Sequence, residues 1–365
     1  MFLARRDLVF AKGRFALIAS VVALITVLVG FLTGLTAGLA GQNVDAVLSW
    51  KADRLVVSAP QAGAQESFAT SALTEQQVEA WRSAAPDAEV RPIGLSQLSA
   101  SHGELRAGIA LVAGAPGAGT GPGAGDTPAP APGETVLSQD AASALHAAAG
   151  DTITVAGQEL RVTAVAGTGH YSHVPLVSVA PESWHAAALR TGAEPATVAT
   201  VLAITGQVND DAAAAAERGS DTVSLSGFQA LSAVGSFRSE IGSLGLMIAL
   251  LLGISALVVG AFFTVWTLQR KGDLAVLKAL GAPTGALVRD ALAQAGIVLL
   301  IGIAVGLGLV VAAGSALPDG LPFVLSPLTT VLPGVVMALL GLGGAAVALR
   351  SVTHADPQTA LGSAR

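Results

Sequence analysis

The chain of 365 residues has no cysteine and a single tyrosine. Without cysteine there is no disulfide framework, no thiolate metal site and no thiol nucleophile. Charge is also scarce: Asp, Glu, Lys and Arg make up 12% of the residues, where a soluble domain carries roughly a quarter. Aromatic residues are only 4%. The sequence has no GxxxxGK[ST] loop, so any ATP-driven work draws on another chain. It also lacks GxSxG, HExxH and a paired-carboxylate signature, which sets enzyme chemistry aside. The net charge of −6 argues against a nucleic-acid partner.

What remains is apolar and small. Hydrophobic residues are 52% of the chain, glycine occurs 43 times, and mean hydropathy is +0.65. Ala, Val, Leu, Ile and Gly in such proportion suit helices packed closely in lipid. Four apolar runs stand out, at 15–41, 244–268, 287–314 and 328–349. Each is long enough to cross a hydrocarbon core of ~30 Å. The first is too long for a signal peptide and has no small-x-small cleavage site after it, so it reads as an uncleaved anchor.

Basic residues set the orientation. Arg5, Arg6, Lys12 and Arg14 precede span one; Arg270, Lys271, Lys278 and Arg289 lie between spans two and three; Arg350 and Arg365 follow span four. The 315–327 loop has neither Lys nor Arg. Both termini (1–14 and 350–365) and the 269–286 loop are therefore expected in the cytoplasm. The acidic segment 42–225 is expected outside, as a folded domain.

That outer segment reads as α+β. Strand candidates are 53–59, 152–155, 160–166, 176–179 and 197–204, with a hairpin turn at Ala156-Gly157-Gln158. A helix is expected over 74–84, where Thr74 and Gln77 form a capping box. Residues 114–133, rich in Gly, Ala and Pro, are expected to be a flexible excursion. No proline interrupts 226–268, which reads as one helical stalk running into span two. The fold class is an integral membrane protein: four transmembrane helices, with an α+β extracytoplasmic domain between the first and second.

The cytoplasmic segment from Gln269 to Ala282, QRKGDLAVLKALGA, resembles the (Q/K)-x-x-(D/E)-(I/L)-A-V-L-(K/R)-A-L-G-A signature of MacB/FtsX-type permeases, the type VII ABC transporter class. Asp356, Pro357, Ala360 and Leu361 resemble that family's D-P-x-x-A-L tail. The order of one span, an outer domain and three further spans matches as well. Two short segments, LARRDL with KGRF near the start and YSHVPLV from Tyr171, resemble the heme-exporter branch, close to the heterocyst glycolipid exporter permeases. The resemblance implies a homodimer in the plasma membrane of a bacterium, served by two copies of a separate ATPase subunit that binds the ATP. It implies a non-catalytic permease with no cofactor or metal of its own, whose expected substrate is heme.

The residues themselves support such a reading. Leu274, Val276, Leu277 and Leu280 recur at helical spacing, with Asp273 and Lys278 elsewhere and Gly281 ending the turn. Such a helix can dock apolar knobs on an ATPase as a coupling helix, or rest on lipid headgroups. Gly30, Gly34 and Gly38 repeat GxxxG spacing in span one, and Gly302 and Gly306 do so in span three. The first set offers intrachain packing, a dimer seam or a flat slot for a planar ligand; the second reads as intrachain packing.

Glu240 stands at the outer end of span two, where a carboxylate is costly and has a partner or a task. It is either a headgroup-level residue, hydrated by water or paired with an Arg, or an anchor for the iron of a porphyrin held between two copies of span two. Met247 is a further candidate contact, Phe237 offers ring stacking and Arg238 propionate pairing. His170, Tyr171 and His173 form a secondary heme candidate, or cap a turn. Trp50 with Lys51, and Trp266, read as interface anchors.

The expected function is ATP-driven export of a lipophilic substrate, heme first, by transmitting motion from the ATPase to the outer side. A lipid, a peptide antibiotic or a lipoprotein are alternatives. The rival is an FtsX-like scaffold that activates an outer cell-wall hydrolase.

Overall fold

The computed structural model describes residues 12–117, 119–269, 281, 283–318 and 321–353. They form two compact units, Leu39–Ile241 and the remainder, Met1–Gly38 with Gly242–Arg365.

Among the described residues, four helices are long and apolar enough to cross a membrane. They are α1 (Lys12–Ser49), α7 (Gly235–Gln269), α8 (Thr284–Gly314) and α9 (Pro327–Thr353). Three threonine hydroxyls of α1 are satisfied within the helix, as an apolar surrounding demands: Thr26, Thr33 and Thr36 each donate to the carbonyl four residues back, at 2.8, 2.7 and 2.6 Å. In this unit, side-chain-free glycine faces bring backbones together. A Cβ built on Gly302 would lie 2.8 Å from the Ala19 carbonyl oxygen, and one on Gly306 2.7 Å from that of Ala23. The span-three glycines thus pack against α1 within the chain.

The glycine face of span one is also filled from within. A Cβ on Gly30 would meet Val310 at 2.7 Å, one on Gly34 the Phe323 ring at 2.6 Å, and one on Gly38 the Pro322 carbonyl oxygen at 2.0 Å. Phe323 also lies 5.1 Å from the Phe31 ring, and the Val324 N–H donates to the Gly34 carbonyl at 3.1 Å. This corrects the dimer-seam and planar-slot readings of Gly30, Gly34 and Gly38. Missing side chains invite the nearest surface, and α8 at Val310 together with the loop that follows it supplies it.

The described residues of the second unit form twelve strands. β1 (Arg54–Ser58), β11 (Val201–Thr205) and β12 (Thr222–Leu225) join the first part of β3 (Glu89–His102) in an antiparallel sheet ordered β12-β1-β11-β3. Strand alternation sorts its residues into two cores. Val56, Leu202 and Ile204 pack with Val78 and Trp81 of α2 (Glu75–Ala84) and Ala213 and Ala216 of α5 (Asp210–Ser220). Leu55, Val57, Val201 and Ala203 pack with Val44, Val47, Trp50 and Phe237. The capping box of α2 is present: the Thr74 N–H donates to Gln77 Oε1 at 2.8 Å.

From Gly94 onward β3 changes partners and pairs with β4 (Leu105–Ala113). The ladder continues through β9 (Val174–Val179), β5 (Glu134–Leu137), β7 (Gln158–Val165) and β6 (Thr152–Val155). It then returns to β3 through Ala100 with Val155. The sheet therefore closes on itself. Its core holds Ile109, Leu111, Leu137, Ile153, Val162 and Val177, with Leu145 of α3 (Gln139–Leu145) and Trp184 of α4 (Pro181–Arg190). β2 (Leu73–Thr74) pairs with β10 (Thr197–Ala199), and β8 (His170–Tyr171) with β9.

Other expectations need correction. α1 does not stop at 41 but continues to Ser49, because Val44, Ala46 and Val47 bury against the outer sheet. Trp50 is 1% exposed in that core, against Phe68, and is no interface anchor. Trp266 packs edge-on to Phe15 at 4.8 Å. The stalk is not continuous: α6 (Gly227–Ser232) ends before α7, with Ala233 and Val234 tucked into the core between them. The expected strand 197–204 is split at Thr200, whose hydroxyl is drawn into bonds with the β3 backbone. The segment 114–133 is irregular but not loose throughout. Thr120 is fully buried, and its carbonyl accepts from the Gly169 N–H at 2.9 Å.

Candidate functional site

The site begins with a turn. β8 and β9 form a hairpin whose loop is two residues, with Tyr171 opposite Val174. Such a loop needs positive φ at both positions and usually takes Asn-Gly. Here it is Ser172 and His173, at φ 50° and 66°. Residues other than glycine resist this conformation and keep it only where the surroundings fix them.

The surroundings do so on both sides. The Ser172 N–H donates to the Asn43 carbonyl at 3.1 Å and the His173 N–H to the Gln42 carbonyl at 3.2 Å. Both acceptors belong to the last turns of α1. Ser172 Oγ lies 2.6 Å from Ser236 Oγ at the start of α7. One turn further along α7, Glu240 Oε1 lies 2.5 Å from His173 Nε2, and Glu240 Oε2 accepts from Asn43 Nδ2 at 2.9 Å. An ionised carboxylate only accepts, so Nε2 carries the proton of this bond. Both side chains are about one-third exposed. This is a half-open, charge-bearing pair that can meet a ligand from outside.

The structure thus joins two candidates that the sequence kept apart, Glu240 and His173, and separates others. His170 turns away to Asp140 in the first turn of α3, at 3.1 Å. Tyr171 is buried in the core, and burial pushes its phenol well above the ordinary value of 10.0. His170, Tyr171 and His173 are therefore not one ligand set. Phe237 is 6% exposed and packs edge-on against Phe228 at 6.0 Å; the ring offered for stacking lies inside the domain. Arg238 donates to the Ser232 carbonyl at 3.2 Å. Met247 is exposed and belongs to the membrane unit. Asn43 and Ser236 went unnoticed in the sequence, and Ser172 entered only as part of the YSHVPLV segment, although an Asn in a long apolar helix is itself a signal.

Tyr171 yields a pH prediction. Below about pH 10 both the folded and unfolded chains carry a neutral phenol. Above it only the unfolded chain ionises, so stability falls as pH rises. As Tyr171 is the chain's single tyrosine, its tyrosinate ultraviolet band is expected to appear only together with unfolding. A band rising in the folded protein near pH 10 would contradict this burial.

Of the coupling residues, Asp273, Leu274, Leu277, Lys278 and Leu280 lie outside the described residues. Gly281 is exposed at φ 93° before α8, a conformation that suits glycine. Among the described residues no group of three His, Asp or Glu could hold a metal ion.

Comparison with known proteins identifies the chain. Residues 16–223 match the MacB-like periplasmic core domain and residues 245–357 the FtsX-like permease C-terminal model. The chain belongs to the MacB/FtsX-type ABC permease family. A hemin transport system permease protein HrtB of Staphylococcus haemolyticus is 33% identical over 129 residues, covering 35% of this permease and 37% of that protein. Its counterpart in Staphylococcus epidermidis is 29% identical over the same length and shares. The permease thus matches little more than a third of the length of these relatives.

Two solved structures are similar. One is the extracellular domain of the noncanonic ABC-type transporter YknZ from Gram-positive bacteria: TM-score 0.33, 12% identity, 47% of this chain and 98% of that one. The other is the periplasmic region of MacB from Actinobacillus actinomycetemcomitans: TM-score 0.32, 11% identity, 47% and 87%. Family and helices together make this a multi-pass membrane permease.

Proposed function

We propose that this permease exports a lipophilic substrate, heme, with Glu240 as the residue that meets the iron. It works as a homodimer with two copies of a separate ATPase. The ATPase docks on the 270–282 segment in the cytoplasm, where both termini lie. ATP binding closes the cytoplasmic ends, and motion along spans one and two drives the substrate outward.

The observation that carries this reading is the carboxylate itself. Glu240 is fixed at the outer end of span two by His173 and Asn43 and is still about one-third exposed. A hard carboxylate suits ferric iron, and a ligating carboxylate is ordinarily hydrogen-bonded in turn. The names of the staphylococcal relatives point the same way.

The test is a hemin titration of the detergent-solubilised chain, followed by absorbance. A saturable, near-stoichiometric shift is expected, lost in Glu240→Ala. A shift that survives in Glu240→Ala moves the site elsewhere, and no saturable shift removes heme as the substrate. The partner is tested separately. Leu277→Asp is expected to leave the permease folded and abolish co-purification of the ATPase, since a charge on the docking face opposes burial. Retained co-purification would refute the coupling role.

A further inference from the structure

Glu240 does not stand alone at the outer end of span two; its orientation is set from the closed sheet. β9 runs between β4 and β5 in that sheet, and its hairpin tip, Ser172 and His173, ends on Glu240. The tip holds a backbone conformation that its residues resist. It is kept there by four bonds, to Gln42, Asn43, Ser236 and Glu240, and Asn43 in turn donates to Glu240. None of these bonds lies within the hairpin. When the tip lifts, His173 leaves Glu240 and the strained turn loses its support in the same movement. The same contacts thus hold the turn and orient Glu240, so loss of the one entails loss of the other.

We propose that His173 is a positioning residue for Glu240, and that the Ser172–His173 tip is the release latch of the site. With the tip docked, Glu240 is oriented to hold the ligand. With the tip lifted, the carboxylate loses its His173 partner and the ligand leaves. Displacement of β9 in the outer domain would thereby be converted into loss of affinity. This rests on the reading of Glu240 as the heme anchor. It also assigns His173 a role other than iron ligand, because its Nε2 is already committed to the carboxylate.

The chain has no native cysteine, so the latch can be locked cleanly. Ser172 and Ser236 present their hydroxyls 2.6 Å apart, close to the ~2.0 Å of a disulfide bond. The double variant Ser172→Cys/Ser236→Cys of the full-length chain is loaded with hemin, and transfer to excess apomyoglobin is followed. The oxidised form is expected to release bound hemin about tenfold more slowly than the reduced form of the same variant, the lifted state being denied. Equal release rates overturn the latch.

His173→Ala is expected to weaken hemin about tenfold with an altered spectrum, and His173→Gln, which keeps a donor, to restore most of both. A spectrum unchanged in His173→Ala overturns the positioning role. If no form binds hemin, the heme reading fails and the latch is judged without ligand. Adding Glu240→Ala to the Ser172→Cys/Ser236→Cys variant should then slow its spontaneous disulfide cross-linking about tenfold, since the lifted tip gains population. An unchanged rate overturns the latch as well.

Discussion

Gly306→Ala is expected to destabilise the membrane unit by about 2–3 kcal/mol, while Gly308→Ala, two residues along the same helix, leaves it unchanged or slightly more stable. A Cβ at Gly306 would sit 2.5 Å from Thr26 Cβ and 2.7 Å from the Ala23 carbonyl oxygen. One of these neighbours is backbone, so no rotamer change relieves the overlap and α1 must move off α8. At Gly308 a Cβ meets nothing within 4 Å, and alanine is the better helix former. The midpoint of thermal unfolding of the full chain in detergent distinguishes the two. Equal midpoints would mean that α1 and α8 do not touch along this face. Gly38→Ala belongs with Gly306→Ala, since its Cβ would fall 2.0 Å from the Pro322 carbonyl oxygen.

This pair also explains what the sequence could and could not show. Gly302 and Gly306 announce a close approach by spacing alone, and so do Gly30, Gly34 and Gly38. Spacing does not say which surface arrives. For Gly34 and Gly38 it is a loop, Pro322 and Phe323, and loops carry no periodicity by which to foresee a contact. The apolar spans were legible because a charge-free run has one physical use at that length. The β6–β7 hairpin was legible because Ala156 and Gly157 make a two-residue turn with both φ positive, at 48° and 72°. Helix α2 was legible because its capping box is a local bond.

What stayed hidden is non-local. β3 serves two sheets, and nothing in its own residues marks Gly94 as the point where it leaves β11 for β4. Glu240 and His173 were each visible as a costly or ligand-type residue, but their meeting spans 67 positions. Asn43 comes 197 positions before the carboxylate to which it donates. Phe237 misled because an aromatic next to a candidate anchor looks like a ligand platform, whereas its place in the helix turns it into the core. Trp50 misled for a related reason: a tryptophan just past an apolar span suggests the headgroup region, but the helix there already belongs to the outer domain.

Trp184→Ala is expected to cost about 3–5 kcal/mol and to take the candidate site with it. Trp184 is 2% exposed, at the junction where β3 changes partners. A Cβ built on Gly94 would lie 2.2 Å from its ring, so the indole rests directly on the bare β3 backbone. Its Nε1–H donates to Ser96 Oγ at 3.0 Å. Removing the indole takes away the largest side chain of the closed sheet's core and the bond to Ser96. β9, which carries Ser172 and His173 at its start, is bonded into that sheet between β4 and β5. Loosening the sheet therefore loosens the tip on Glu240, although Trp184 touches neither residue. The expected result is a lowered unfolding midpoint of the full chain together with weaker hemin binding. The opposite arrangement, Gly94→Val, should fail in the same way, since the added side chain claims the space of the ring. A Trp184→Ala variant that unfolds earlier but binds hemin with wild-type affinity would show that the tip is held by α1 and α7 alone. The closed sheet would then contribute nothing to the site.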